Sequence, residues 1–119
     1  MKKNNISTRA QIQNFIEINS DKKIVVVQGL GFVGAVMSLV VCNSDEDEYA
    51  VIGVDLESNK HVIESINSGV FPIEASDPKI KEYFDNAIKK RNFIASYDSE
   101  AYQFADTIIV DINLDVQKV

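Results

Sequence analysis

The fold is decided by the stretch Lys23-Ile24-Val25-Val26-Val27-Gln28-Gly29-Leu30-Gly31-Phe32-Val33-Gly34. Its first half has the continuous valine and isoleucine content that is typical of a parallel strand buried on both faces. Its second half has the pattern G-x-G-x-x-G and opens an apolar helix at Phe32. We therefore predict a strand, a tight glycine turn and a helix, which is the arrangement that binds dinucleotides such as NAD.

Each glycine of this turn has a separate physical role. Gly29 allows the tight turn off the strand, Gly31 lets the backbone approach a pyrophosphate because it has no Cβ, and Gly34 lets the helix pack on the strand. The free N–H groups of the first helical turn, which contains Phe32 and Val33, then point at the phosphates, aided by the helix dipole. We expect these residues to bind the cofactor.

A carboxylate follows at the spacing that this motif requires. The second strand, Ala50–Asp55, ends in Asp55, 21 positions after Gly34. A carboxylate at such a place accepts hydrogen bonds from the ribose hydroxyls of NAD, and its charge disfavours the 2′-phosphate of NADP. The alternative is a structural glycine turn followed by a chance aspartate at a strand end.

Length and composition narrow the class of protein. A chain of 119 residues suits one domain but is short for both halves of a doubly wound sheet, so we expect it to be truncated before the second half. The net charge of −6 argues against a nucleic-acid partner. The absence of a signal-like or membrane-spanning apolar segment predicts a cytoplasmic protein without membrane attachment.

Cys42 and His61 are the residues whose type would suit catalysis or metal binding. Cys42 is the single cysteine, which excludes an internal disulfide, and it lies in an apolar helix where a buried, inert thiol is expected. His61 has no Asp, Glu or Cys at a spacing typical of a metal site. We predict neither catalytic residues nor a metal site in this chain.

The remaining pattern alternates between helices and strands. Residues 1–20 are expected to form an N-terminal extension with a short helix, begun by a capping box at Thr8–Gln11, that covers a sheet edge or a neighbouring chain. Residues 21–119 are expected to form the cofactor-binding domain. One further helix is predicted at 59–67, with Ser58 as its N-cap and Gly69 as its C-terminal stop. A second is predicted to begin at Pro78, with Asp77 as its N-cap, and to end at the basic residues Lys89–Arg91. Strands are predicted at 92–96 and 107–112, with a brief helix after Asp98 between them. The alternation predicts an α/β, Rossmann-like parallel sheet of order 3-2-1-4, flanked by helices, with the ligand crevice beside the first strand.

Several stretches resemble the N-terminal, NAD-binding domain of the nucleotide-sugar dehydrogenases, the UDP-glucose/GDP-mannose dehydrogenase family that also includes UDP-N-acetylmannosamine dehydrogenases. The most specific is Ile66–Ile73, which is similar to the I-N-x-G-x-x-P-I loop of that family. The other matching stretches are Gly29–Gly34, Gly53–Asp55, Lys60 with Val62, and Ala105–Val110. Together they cover roughly residues 23–112.

The resemblance implies a cofactor, a substrate and an activity. It places NAD on the glycine turn, Asp55 at the adenosine ribose and Lys60 near the cofactor, although a lysine there could equally decorate the helix surface. Family members oxidise the C6 alcohol of a nucleotide sugar, such as a UDP-sugar, to the uronic acid with two NAD⁺ in polysaccharide biosynthesis. Their catalytic cysteine lies downstream and does not match Cys42, so the resemblance implies that this chain alone is inactive. A homo-oligomer is possible.

Two departures from the family pattern limit what is carried over. Glu74–Pro78 replaces an acidic-Pro-Gly-Leu stretch, which leaves the role of Glu74 open. Ile112–Asp115 stands where the family has a Val-Pro-Thr-Pro turn, so the nicotinamide-side contacts are not transferred. Two other functions remain open: a stand-alone NAD-binding or redox-sensing module, and another Rossmann enzyme such as a methyltransferase that binds S-adenosylmethionine.

Overall fold

Parallel strands form one sheet in the computed structural model, which describes residues 9–46, 48–72 and 77–111. The strands are β1 (Lys23–Gln28), β2 (Tyr49–Val54), β3 (Phe93–Ser96) and β4 (Thr107–Val110). Their order within the described residues is β3-β2-β1-β4, which confirms the predicted topology. The reversal of strand order lies between β1 and β4, so the ligand crevice is expected at the carboxyl ends of these strands.

The helices begin and end close to the predicted positions. They are α1 (Arg9–Ile18), α2 (Phe32–Cys42), α3 (Lys60–Asn67) and α4 (Pro78–Lys90), with 3₁₀ helices at Glu57–Asn59 and Ser99–Phe104. The Asp77 carboxylate accepts a hydrogen bond from the Lys79 backbone N–H at 2.9 Å, which confirms the predicted cap of α4. Asp98 caps the second 3₁₀ helix in the same way, through the Glu100 N–H at 2.9 Å.

Two local predictions at helix and strand ends are wrong. Ser58 does not cap α3, because it lies inside a 3₁₀ turn and the residue at the cap position is Asn59. Strand β4 ends at Val110, whereas the apolar run predicted a strand to residue 112. Thr8, Ile73, Glu74 and residues 112–119 lie outside the described residues.

The sheet is buried on both faces over β1 and β2. Side chains alternate along these strands, so Val25, Val27 and Val51 pack with α2, α3 and α4, while Ile24 and Ile52 pack on the opposite side. This two-sided burial explains why β1 has no polar residue between Lys23 and Gln28.

Helix α1 covers the second face of the sheet. Its Ile12 and Phe15 are buried against the residues of β1 and β2 that point to that side, and Arg9 pairs with Glu100 of the 3₁₀ helix. The Asn19 side-chain amide just after α1 donates to the Arg91 carbonyl oxygen at 3.0 Å. The helix therefore packs on the face of the sheet as part of the core. The sequence predicted a position at a sheet edge or against a neighbouring chain, and the edge position is wrong.

Cys42 is buried, as predicted, and its thiol lies 3.4 Å from the Asn92 carbonyl oxygen. Burial raises the pKa of the Cys42 thiol well above its usual range, so it stays protonated. Among the described helices, none has the length and apolar character to cross a membrane.

Candidate dinucleotide-binding site

The glycine turn between β1 and α2 is held by close backbone packing. Gly29 has φ +104°, and a Cβ at this position would overlap the carbonyl oxygen of Asp111. A Cβ on Gly34 would overlap the carbonyl oxygen of Gly29. These glycines are therefore required by the fold itself, because the helix, the turn and the end of β4 approach too closely for a side chain.

Gly31 differs from these two glycines because it faces open space. Apart from Gly31 itself and its immediate chain neighbours, no described atom lies within 4 Å of the position that a Cβ would take on Gly31. Gly31 is the N-cap of α2 and no side chain caps this end, while the first helical hydrogen bond runs from Ala35 N–H to the Gly31 carbonyl oxygen at 2.9 Å. The N–H groups ahead of Ala35 include those of Phe32 and Val33, whose side chains are about half exposed. The start of α2 thus has the space and the donors to bind a phosphate.

Asp55 follows β2 and is held in place by hydrogen bonds. Its Oδ2 accepts from the Leu30 N–H at 2.9 Å, and its Oδ1 accepts from the Leu56 N–H at 2.7 Å and the Asn59 side-chain amide at 3.0 Å. A carboxylate offers about four acceptor positions, so these donors leave about one, on Oδ2. The geometry fixes Asp55 beside the glycine turn with capacity for one further donor, such as a hydroxyl group.

A cavity of about 420 Å³ opens beside Asp55 and the glycine turn. This volume lies within the range of small-molecule sites, roughly 300–1,000 Å³. Its walls include apolar surface from Leu56 and Tyr97, which are 70% and 41% exposed. The lining residues are Gln28, Gly29, Val54, Asp55, Leu56, Glu57, Tyr97, Ser99, Tyr102 and Asp111.

Tyr102 adds a polar group to this cavity from the 3₁₀ helix. Its hydroxyl donates to the Gln28 Oε1 atom at 3.1 Å. Partial burial, and to a smaller degree the charge of Asp55, raise the pKa of Tyr102 above its ordinary value. The phenol therefore remains a neutral donor at physiological pH.

Most cavity residues were not identified by the sequence motif. Gln28, Tyr97 and Asp111 each lie at or within one residue of the carboxyl end of a strand, and Leu56 lies two residues beyond the end of β2. That position was the available signal, because ligands of open parallel sheets bind beyond the carboxyl ends of the strands. Tyr102 carried no such signal, since it comes from a 3₁₀ helix that only the tertiary fold brings to the cavity.

Of the predicted site residues, Gly29 and Asp55 line the cavity, whereas Gly31, Phe32, Val33 and Gly34 lie at the start of α2 outside the lining. Lys60 also lies apart from the lining. It is exposed at the first position of α3 and does not line the cavity. Its contact with a cofactor stays a prediction. His61 is also exposed, and no group of three potential metal-ligating side chains occurs in the described part of the chain.

The end of β4 completes the site. The Asp111 N–H donates to the Gln28 carbonyl oxygen at 2.8 Å and extends the pairing of β4 with β1. The Asp111 Oδ2 atom lies 3.1 Å from the position that a Cβ would take on Gly34. Two carboxylates, Asp55 and Asp111, therefore lie on opposite sides of the glycine turn.

Comparison with known proteins identifies relatives of this site and fold. The model of the UDP-glucose/GDP-mannose dehydrogenase family, NAD binding domain, matches residues 22–117. Among solved structures, an NDP-N-acetyl-D-galactosaminuronic acid dehydrogenase from Methanosarcina mazei Go1 is similar, with 20% sequence identity and a TM-score of 0.69. The alignment covers 86% of this chain and 22% of that one, and at this identity the likeness shows the fold alone. A search of curated proteins finds no significant match.

Proposed function

The chain belongs to the UDP-glucose/GDP-mannose dehydrogenase family and contains its NAD-binding domain, and on this basis we propose that it supplies the cofactor site of a nucleotide-sugar 6-dehydrogenase. Such an enzyme oxidises the C6 alcohol of a UDP-sugar to the uronic acid and uses two NAD⁺. The observation that carries the proposal is an open Gly31 at the start of α2 together with an Asp55 that is hydrogen-bonded to Leu30 of the same glycine turn. The match to the family model supports the nucleotide-sugar substrate class.

In the proposed complex the pyrophosphate of NAD lies on the glycine turn. The space in front of Gly31 receives it, and the N–H groups at Phe32, Val33 and Gly34 bind its oxygens. Gly29 contributes by holding the turn in place. This assignment gives each residue of the motif a contact or a structural role.

The adenosine half is proposed to occupy the cavity. The free acceptor position of Asp55 takes a ribose hydroxyl, and the exposed apolar surfaces of Leu56 and Tyr97 contact the adenine ring. Lys60 is proposed to approach the ribose from the start of α3. When bound, NAD⁺ would supply the hydride acceptor of the reaction.

The same geometry favours NAD over NADP. Asp55 is fixed by three donors and cannot turn away from a 2′-phosphate without losing them. No lysine or arginine lies among the described residues of the cavity to neutralise that phosphate. NADP would therefore place its 2′-phosphate against the negative charge of Asp55.

We place the catalytic groups outside this chain. Cys42, the one thiol, is the buried last residue of α2 and stays protonated, so it does not suit covalent catalysis. The described residues of the cavity include no histidine or lysine to act as a general base. The isolated chain is therefore expected to bind NAD without oxidising a sugar.

Calorimetry with NAD⁺, NADP⁺ and S-adenosylmethionine tests the cofactor assignment. We expect NAD⁺ to bind more tightly than NADP⁺ and S-adenosylmethionine not to bind. Equal affinity for NAD⁺ and NADP⁺ would contradict the role of Asp55, and preferential binding of S-adenosylmethionine would favour the methyltransferase alternative.

Turnover is tested by following NADH absorbance with NAD⁺ and a panel of UDP- and GDP-sugars. The 119-residue chain is expected to give no sustained NADH, while a longer protein containing this domain is expected to oxidise one of the sugars. Sustained NADH production by the 119-residue chain, lost in Gly31→Val, would show that the catalytic groups lie in this chain after all.

A further inference from the structure

Asp111 is a charged residue of the cavity lining that has no part in the contacts proposed above. Asp111 follows β4, and its N–H extends the strand pairing to the Gln28 carbonyl oxygen. Its own carbonyl oxygen packs against Gly29 so closely that no side chain would fit there. The backbone is thus fixed at Asp111, and its side chain begins directly beside the glycine turn.

The Asp111 carboxylate is directed toward the start of α2. Its Oδ2 atom lies 3.1 Å from the Cβ position of Gly34, the third residue of that helix, and its Cβ lies 3.7 Å from the Cβ position of Gly29. Asp111 also lines the cavity together with Asp55. The carboxylate therefore lies beside the glycine turn, on the side where Gly34 of α2 packs, and within the cavity that Asp55 also lines.

Within the described lining of the cavity, no positive charge balances this carboxylate. The described lining of the cavity contains Asp55, Glu57 and Asp111 but no basic residue. The chain as a whole carries a net charge of −6. A pyrophosphate bound at the turn would consequently meet the favourable end of α2 and, nearby, the negative charge of Asp111.

We propose that Asp111 weakens cofactor binding: its carboxylate repels the dinucleotide pyrophosphate and sets the affinity for NAD below what the glycine turn and Asp55 would provide without it. This inference rests on the proposed position of the pyrophosphate. It has a functional consequence, because a reaction that consumes two NAD⁺ at one site must release NADH between the two oxidations. A repulsive carboxylate favours that release by raising the dissociation rate.

The test compares the native chain with Asp111→Asn, which removes the charge and keeps the side-chain shape. Affinities for NAD⁺, ADP-ribose and adenosine are measured by calorimetry, with ligand-observed NMR for weak binding. Removing one charge near a partly solvated pyrophosphate is expected to tighten NAD⁺ and ADP-ribose binding by about 3- to 10-fold at low salt. The gain should shrink as salt is raised to about 0.2 M, because screening shortens the range of the repulsion. Adenosine, which has no phosphate, should bind equally to both proteins.

Asp85→Asn is the matched control. It changes the net charge by the same amount, but Asp85 lies on α4 in an exposed ion pair with Lys81 at 3.1 Å and does not line the cavity. Its affinities for all three ligands should equal those of the native chain. Asp111→Ser provides a second variant without the charge, and it should tighten binding in the same direction as Asp111→Asn.

Unchanged or weakened NAD⁺ binding in Asp111→Asn and Asp111→Ser would overturn the inference. Weakened binding would mean that the carboxylate accepts a hydrogen bond from the cofactor. If the native chain binds NAD⁺ and Gly31→Val does not, such a result would leave the proposed function standing. If the native chain binds no NAD⁺, both the inference about Asp111 and the proposed function would be overturned.

Discussion

Asp55 and Asp111 lie in the same cavity, yet their surroundings give them opposite properties. Asp55 follows the interior strand β2, and three protein donors fix its carboxylate. Asp111 follows the edge strand β4, and its carboxylate faces the glycine turn at the start of α2. On the proposed binding mode, a carboxylate at the carboxyl end of a strand is not by itself a recognition group. What matters is whether it meets hydroxyl donors or phosphate anions of the ligand.

The largest effect is expected from Gly31→Val, at the turn between the two carboxylates. The added side chain fills the space proposed for the pyrophosphate but meets no protein atom within 4 Å, at a backbone φ of −69° that valine accepts. NAD⁺ binding by calorimetry should fall by about 100-fold or more, equivalent to about 2.7 kcal/mol. The far-UV circular dichroism should remain that of the native chain.

Gly29→Ala is the contrasting control for the turn. The Gly29→Ala domain should unfold at a lower denaturant concentration than the native chain, because a left-handed backbone and a clash with Asp111 together cost about 2 kcal/mol or more.

The Gly31→Val prediction would be contradicted by a folded variant that binds NAD⁺ with undiminished affinity. Such a result would place the phosphates elsewhere and remove the basis for comparing the two carboxylates.

A smaller effect is expected from Asp55→Ala. Loss of a charge-assisted hydrogen bond to the ribose should weaken NAD⁺ binding by about 10-fold or more. The affinity for NADP⁺ should fall by a smaller factor, because the repulsion between Asp55 and the 2′-phosphate disappears. Calorimetric titration of both cofactors measures the two changes. Asp55→Ala and Asp111→Asn are expected to act in opposite directions, so a change of the same sign in both would break the comparison.

The smallest effect concerns the phenol of Tyr102. Burial, and secondarily the Asp55 charge, raise its pKa, so Asp55→Asn should lower that pKa while Asp111→Asn should leave it unchanged. NMR titration of ¹³C-labelled tyrosine, assigned with Tyr102→Phe, measures the shift. A comparable decrease in Asp111→Asn would show that both carboxylates act on the same side of the cavity.

The raised pKa of Tyr102 also determines the sign of its contribution to stability. The folded state holds this proton more tightly than the unfolded state, so the contribution is fully present below the ordinary tyrosine pKa of about 10. It is lost as the pH rises from there through the folded-state pKa. Tyr102→Phe should show a shallower decline in stability than the native chain over that alkaline range.

Much of the fold could be predicted from the sequence because its signals are local. The valine run of β1, the Asp77-Pro78 start of α4 and the glycine turn each specify a conformation within a few residues. Alternation of strands and helices then determined the sheet order, since right-handed crossovers leave few other arrangements. Ser58 was wrongly predicted as the N-cap of α3, because a 3₁₀ turn precedes the helix and moves its start to Lys60. The position of that start depends on how the turn packs.

The sequence by itself determined the glycine turn and Asp55 as candidate site residues, because their roles follow from residue type and spacing along one β-α-β unit. Only the tertiary structure decided that α1 covers the second sheet face, that Tyr102 reaches Gln28 across 74 positions, and that Asp111 lies against Gly29. These contacts join segments distant in the chain, and their partners are set by how strands, helices and turns pack in three dimensions. No local pattern encodes such a meeting, so the charge that opposes the cofactor became visible only in the folded molecule.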